Sequence, residues 1–144
     1  MLRVNRLTDY AAAVMTCLAS HEDEVLSTVQ IAEETHLELP TVSKLLKSLG
    51  HAMLVESFRG VNGGYRLARS ARDISLAEIV VALEGPIAVT ECGIGIGQCD
   101  REATCAVRGS WQQISVILDD ALRAVSLADM SRRVVHRRPA AGVR

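Results

Sequence analysis

Cys92, Cys99 and Cys105 fall within fourteen consecutive positions, in a segment that also holds Gly93, Gly95 and Gly97. Thiolates are soft donors that bind zinc, copper(I) or iron–sulfur clusters. The gaps between these cysteines are six and five residues. Zinc knuckles and ribbons commonly use gaps of about two to four residues, which turn tightly around a single ion. Wider gaps wrap the chain around something larger. The spacing therefore points to a cluster first, with zinc or a thiol switch as the alternatives. Such clustering does not read as a disulfide scaffold. The fourth cysteine, Cys17, lies far away in sequence, on or beside the apolar face of a predicted helix, and reads as a small core residue.

A second constellation is basic and hydroxylic. Thr41, Ser43, Lys44, Lys47 and Ser48 share the polar face of one predicted helix, and Arg59 stands just before a glycine-rich tip. Between residues 39 and 69 there are five basic residues (Lys44, Lys47, Arg59, Arg66, Arg69) and one acid, Glu56, in a chain whose net charge is −1. Hydroxyls contact bases or phosphates, lysines suit phosphates, and an arginine on a wing suits a minor groove.

These residues need elements to hold them. Leu7, Ala11, Val14 and Leu18 recur at helical spacing, predicting a helix over Thr8 to Ser20. The acidic run from His21 to Glu24 is a solvated turn. Ser27 with Gln30 forms a capping box that starts a second helix, ending near His36. Pro40 suits the first turn of a third helix. Its apolar face is Val42, Leu45, Leu46 and Leu49, and Gly50 is the expected stop. Met53 to Phe58 and Gly64 to Leu67 read as two strands, joined through Gly60, Asn62 and Gly63 as a hairpin. Three helices and a hairpin over residues 1–70 make a winged helix-turn-helix, whose second helix of the pair enters the major groove. The fold class is thus mainly α, with a small β-hairpin wing.

Residues 71–86 hold a connecting helix, capped by Ser75 and Glu78 and ended by Gly85-Pro86. Residues 87–108 are the cysteine loop, which shows no periodicity. Residues 109–130 are a long last helix, expected to start at Ser110 with Gln113 closing a capping box. Its stripe of Trp111, Ile114, Leu118, Ala121, Leu122 and Val125 asks for a second copy of the chain. Residues 131–144 carry five arginines and no acid, and read as a disordered basic tail.

Composition sets the outer bounds. Hydrophobic residues make 49% and charged residues 23% of 144 positions, which fits a folded protein and not a disordered or fibrous one. No apolar run is long enough for a membrane span. The mildly basic, apolar start is broken by Asp9 and reads as a helix of the mature protein, which places the protein in the cytoplasm. Aromatics are 3%, too few for single-strand binding by base stacking. No Ser/His/Asp set or phosphate loop is present, so neither an enzyme nor a small-molecule substrate is expected. A winged helix used for protein contacts is the reading from a different class. His21, His36 and His51 sit at predicted helix ends and read as solvated residues.

The chain resembles the bacterial family of winged-helix regulators that includes IscR and NsrR, and within it the branch that regulates the Suf iron–sulfur assembly operon. The resemblance is carried by RLTDYA, RGVNGGYRLAR, SLAEIVVALEGP and the cysteine loop followed by CAVRGSWQQI, over about residues 2 to 130. It implies a homodimer paired through the long last helix. It also implies a double-stranded DNA operator and an iron–sulfur cluster on Cys92, Cys99 and Cys105, [2Fe–2S] ahead of [4Fe–4S]. One branch places a histidine ligand three residues after the third cysteine; here that residue is Arg108, which cannot bind a metal. In NsrR-like members an aspartate of the first helix completes the partner subunit's cluster, and Asp9 occupies that place. Glu91, an outside thiol or a water are the other candidates, and Asp9 alternatively caps the first helix with Thr8.

Overall fold

The computed structural model describes residues 2–132; of the tail expected over residues 131–144, Ser131 instead ends a helix with Arg132 as its C-cap, and the rest lies outside the described residues. Helix α1 spans Arg6–Ser20. Its N-cap is Asn5, whose side chain accepts the Leu7 amide at 3.0 Å, so the expectation that Thr8 and Asp9 cap it is corrected. A cap must stand one residue outside the helix with extended backbone, and Thr8 and Asp9 are already helical. Helix α2, Thr28–Thr35, opens on the expected box: Ser27 Oγ accepts the Gln30 amide, and Gln30 Oε1 accepts the Ser27 amide.

Helix α3, Leu39–His51, carries Pro40 in its first turn and buries Val42, Leu45, Leu46 and Leu49. It does not stop at Gly50. One glycine costs a helix only about 1 kcal/mol, less than the packing of Leu46 and Leu49, buried in the turn just before it, supplies. The chain reverses at Met53 instead, whose φ is +60°. Strands β1, Val55–Phe58, and β2, Gly64–Leu67, pair antiparallel with Val55 opposite Leu67 and Phe58 opposite Gly64. Leu26, just before α2, exchanges both backbone hydrogen bonds with Tyr65, at 3.0 and 2.8 Å. This bridge moors the wing to the helices. It also fixes glycine at 64, where φ is +157° and a Cβ would run into the Leu26 carbonyl.

A short 3₁₀ turn, Ala71–Asp73, leads to helix α4, Leu76–Glu84, with the expected Ser75–Glu78 capping box and Gly85 at its end. Inside the cysteine segment lies a single helical turn, α5, Glu91–Ile94, which no periodicity announced. Helix α6 spans Arg108–Arg123. It begins before Ser110, which is therefore interior and caps nothing. The chain then breaks at Ala124, and Ser126 with Asp129 forms a further capping box that opens helix α7, Leu127–Ser131.

One core holds the molecule together. Val14, Met15, Leu18, Ile31, Val42, Leu45, Leu46, Leu49, Leu54, Ile74 and Ile79 are all buried in it. Leu127 of α7 joins them, so the segment after α6 returns to the winged domain. Two backbone bonds fix that return: Leu127 N–H to Ile74 O at 2.7 Å and Leu76 N–H to Val125 O at 2.9 Å. Each buried leucine or isoleucine contributes about 1.5–3 kcal/mol. Helix α6 differs from the rest. Ser115 is its one buried residue, while Trp111, Ile114, Val116 and Ile117 are exposed. Among the described residues, no helix is long and apolar enough to cross a membrane.

Candidate nucleic-acid interface and cysteine loop

Helix α3 turns its apolar side to the core, so its polar side must face out. Lys44 and Lys47 are exposed there, with Thr41 and Ser43 half-buried beside them. Arg59 is exposed at the wing tip. Among the described residues, neither lysine nor Arg59 takes part in an ion pair. The other two basic residues of this stretch are engaged within the chain. Arg66 meets Glu56 at 3.4 Å and lies over the Phe58 ring at 5.0 Å. Arg69 meets Glu78 at 2.5 Å and donates to the Asp73 carbonyl at 2.9 Å. Of these five basic residues, Lys44 and Lys47 on the helix and Arg59 at the hairpin tip thus have no ion-pair partner among the described residues. An open groove of about 500 Å³ between the start of α2 and the wing is lined by Ser27, Thr28, Ser57 and Arg59.

The cysteine loop is fastened to α6 at one end. Cys92 is buried on α5, with its Sγ 3.0 Å from Thr90 Oγ1, and its carbonyl accepts from Gln112 Nε2 of α6 at 3.2 Å. Ser115 Oγ accepts the Val89 amide at 3.1 Å and donates to the Trp111 carbonyl at 2.9 Å. The close approach needs Gly93, where a Cβ would stand 2.9 Å from Ser115 Oγ. Cys99 and Cys105 are half-buried further along. All three loop thiols are free, and Arg108, three residues past Cys105, keeps a buried Nε–H with no acceptor among the described residues.

The donor chemistry therefore suits an anionic thiolate-bound group: three unpaired thiols with a cationic donor next to them in the chain. No three His, Cys, Asp or Glu side chains stand close enough to hold a metal ion among the described residues, so the loop as described does not gather the three thiols around one ion. Asp9 is exposed on the first turn of α1, beside a polar groove it shares with Arg3, Asn5, Arg6 and Glu84, and Glu91 is exposed on α5.

Cys17 belongs to the core, as its position on α1 suggested. Burial, followed by its hydrogen bond to Glu34 at 3.4 Å, pushes its thiol up to about 12. His21 Nε2 meets the same Glu34 oxygen at 3.0 Å, and these contacts, His21 first, hold that carboxyl below its ordinary range. Sequence reasoning missed one pair in the loop: Glu102 and Arg108 form an ion pair, and Glu102 also accepts the Gly97 amide at 2.5 Å. No spacing rule signals a pair that depends on the path of an irregular loop.

Comparison with known proteins fits this arrangement. A curated relative, protein rrf2 of Nitratidesulfovibrio vulgaris, is 29% identical over 132 residues, 91% of this chain and 88% of its own. The structure of IscR from T. potens superposes with a TM-score of 0.69 at 32% identity, covering 90% of this chain and 85% of that one. CymR, the global cysteine regulator of B. subtilis, superposes with a TM-score of 0.72 at 27% identity, covering 91% and 97%. These similarities are to regulators, not enzymes. Residues 4–133 match the family described as Rrf2, iron-dependent transcriptional regulator, and the chain belongs to this Rrf2 family.

Proposed function

We propose that the chain is a homodimeric, cytoplasmic DNA-binding regulator that reports iron–sulfur cluster status and controls cluster-assembly genes of Suf type. The observation that carries this reading is the linkage through α6. Its first half is bonded to the cysteine segment through Gln112 and Ser115, and the chain leaving its far end is bonded at Val125 and Leu127 to the segment that opens α4, with the Leu127 side chain buried in the core of the winged domain. A change in the loop thus acts on a rod whose other end is tied to the DNA-reading domain.

The residues take these roles. Thr41, Ser43, Lys44 and Lys47 face the major groove and its phosphates, and Arg59 reaches from the wing to the minor groove. Cys92, Cys99 and Cys105 would hold a cluster, [2Fe–2S] in preference to [4Fe–4S], with the partner subunit's Asp9 as the fourth ligand. A bound cluster supplies a charged centre sensitive to iron supply, oxidation and nitric oxide. The loop must close for the three thiols to meet, and Gly95 and Gly97 give it that freedom. The exposed face of α6 pairs with a second copy, which sets the spacing of two recognition helices. Two half-sites accept only spacings near a DNA turn, about 34–36 Å. A coupling of about 2 kcal/mol between loop state and spacing changes operator affinity about thirtyfold.

The test is a gel-shift titration of one operator with cluster-loaded and chelator-stripped protein at fixed salt. A severalfold or larger difference supports the reading; identical affinities contradict it. The likeness to CymR, a cysteine regulator, favours one second reading, in which the same thiols bind zinc or act as a redox switch. Zinc is colourless, so the visible spectrum of protein purified without oxygen separates the two.

A further inference from the structure

We propose that Glu102 is a positioning residue: its carboxylate clips the cysteine loop at two points and fixes the path on which Cys99 and Cys105 stand. One oxygen accepts the Gly97 amide at 2.5 Å, and the other faces the Arg108 guanidinium in an ion pair. The first contact closes the chain over residues 97–102, which contain Cys99. The second closes it over residues 102–108, which contain Cys105. A single side chain therefore pins both thiols that α5 and α6 do not hold, whereas Cys92 is fastened separately through Gln112.

The Glu102 side chain is only 12% exposed and that of Arg108 31%, so removing either partner leaves a poorly solvated charge behind. Arg108 is also the first residue of α6, the end where the helix dipole disfavours a cation. That turn has no acidic residue and no side-chain cap. The Glu102 carboxylate neutralises that cation, and the ion pair joins the loop to the first residue of the helix.

The inference deepens the proposed role of Cys99 and Cys105 as ligands, but its test needs no cluster. Reduced, chelator-treated protein is alkylated with N-ethylmaleimide, and the rate at each cysteine is read from peptide masses. Two variants are compared with the parent chain, Glu102→Gln and Arg108→Gln. Their charge effects on nearby thiols are opposite, because losing the carboxylate favours thiolate and losing the guanidinium disfavours it. A shared clip predicts that Glu102→Gln speeds alkylation of Cys99 and Cys105 and that Arg108→Gln speeds that of Cys105, by about tenfold for a charge-assisted contact of ordinary strength. Cys17 remains protected and Cys92 changes little. Rates that move in opposite directions in the two variants show electrostatics alone, and unchanged rates show no clip; either overturns the proposal. Exposure of Cys17 marks global unfolding, and the milder Glu102→Asp then serves: it shortens the reach and must accelerate the same two cysteines, or the clip is refuted. Iron content, measured separately, reports on the cluster reading, so the two fail independently.

Discussion

The Thr8 hydroxyl, buried near the start of α1, donates to Glu84 Oε1 at the end of α4 at 2.6 Å. The Asn5 amide donates to the same oxygen at 2.9 Å. Helix α1 thus starts with Asn5 as its cap and Thr8 as its tie to α4. Asp9, the next residue, is exposed and in no side-chain hydrogen bond or ion pair among the described residues. Replacing it should cost the fold little, within about 0.5 kcal/mol. As a ligand to the partner's cluster, Asp9→Ala should shorten the lifetime of the visible spectrum in air while leaving the thermal midpoint unchanged. An unchanged lifetime removes Asp9 from the ligand set and favours Glu91 or an outside ligand.

Lys44 and Lys47 have no side-chain partner among the described residues, so their removal should be felt by DNA and by little else. Lys44→Ala and Lys47→Ala should each weaken binding to all sequences. Each should also flatten the slope of log affinity against log salt, by about 0.9 for every phosphate that is no longer neutralised. Fluorescence anisotropy across a salt series measures both. Slopes equal to the parent chain's would contradict the docking of α3 in the groove.

Acid stability should follow two capping carboxylates. Burial pulls Glu78 upward, but the Ser75 amide and the Arg69 guanidinium together outweigh it and hold the carboxyl below its ordinary range. The Ser126 backbone and hydroxyl lower Asp129 likewise. Both pKa values are lower in the folded than in the unfolded state. Their stabilisation is therefore complete above the ordinary carboxylate range, about pH 5, and is lost as pH falls through it and then through the folded values. Urea midpoints from pH 7 down to pH 3 should show a shallower decline for Glu78→Gln than for the parent chain. Parallel declines would mean that Glu78 carries none of this dependence.

Much of this fold was legible because local chemistry and burial agree. The Ser27–Gln30 and Ser75–Glu78 boxes sit next to apolar periodicity, so helix starts could be read directly. The same rule misled at Ser110–Gln113, where the spacing of a box occurs inside a helix already begun at Arg108. There the first helical residue, Arg108, is held through its side chain by Glu102, and no side chain caps the helix. The Ser126–Asp129 box went unread because the stripe through Val125 suggested one unbroken helix. Of the candidate site, residue types and surface placement were legible: lysines opposite Leu45 and Leu49, and free thiols in a glycine-rich segment. The Glu102–Arg108 pair was not, since it joins two points of an irregular loop through tertiary contact alone.

Helix α6 buries Ser115 and leaves Trp111, Ile114 and Ile117 exposed at 38%, 39% and 58%. An apolar face of this kind gains about 25 cal/mol for each Å² removed from water by a second copy. Leu118→Asp should give monomers in sedimentation velocity and lose tight operator binding in the same step, because both half-sites must be engaged at once. A dimer that persists with Asp at 118 would place the subunit interface elsewhere.

The central claim is that Cys92, Cys99 and Cys105 hold an iron–sulfur cluster and Cys17 does not. Its most direct test is an iron and acid-labile sulfide determination, with a visible spectrum, on protein purified without oxygen. The parent chain and Cys17→Ala should contain both elements in matching amounts and be coloured. Cys92→Ala, Cys99→Ala and Cys105→Ala should each lose most of both. Colourless parent protein carrying zinc or no metal would contradict the account, as would a Cys17→Ala chain that bleaches while a loop variant keeps its colour.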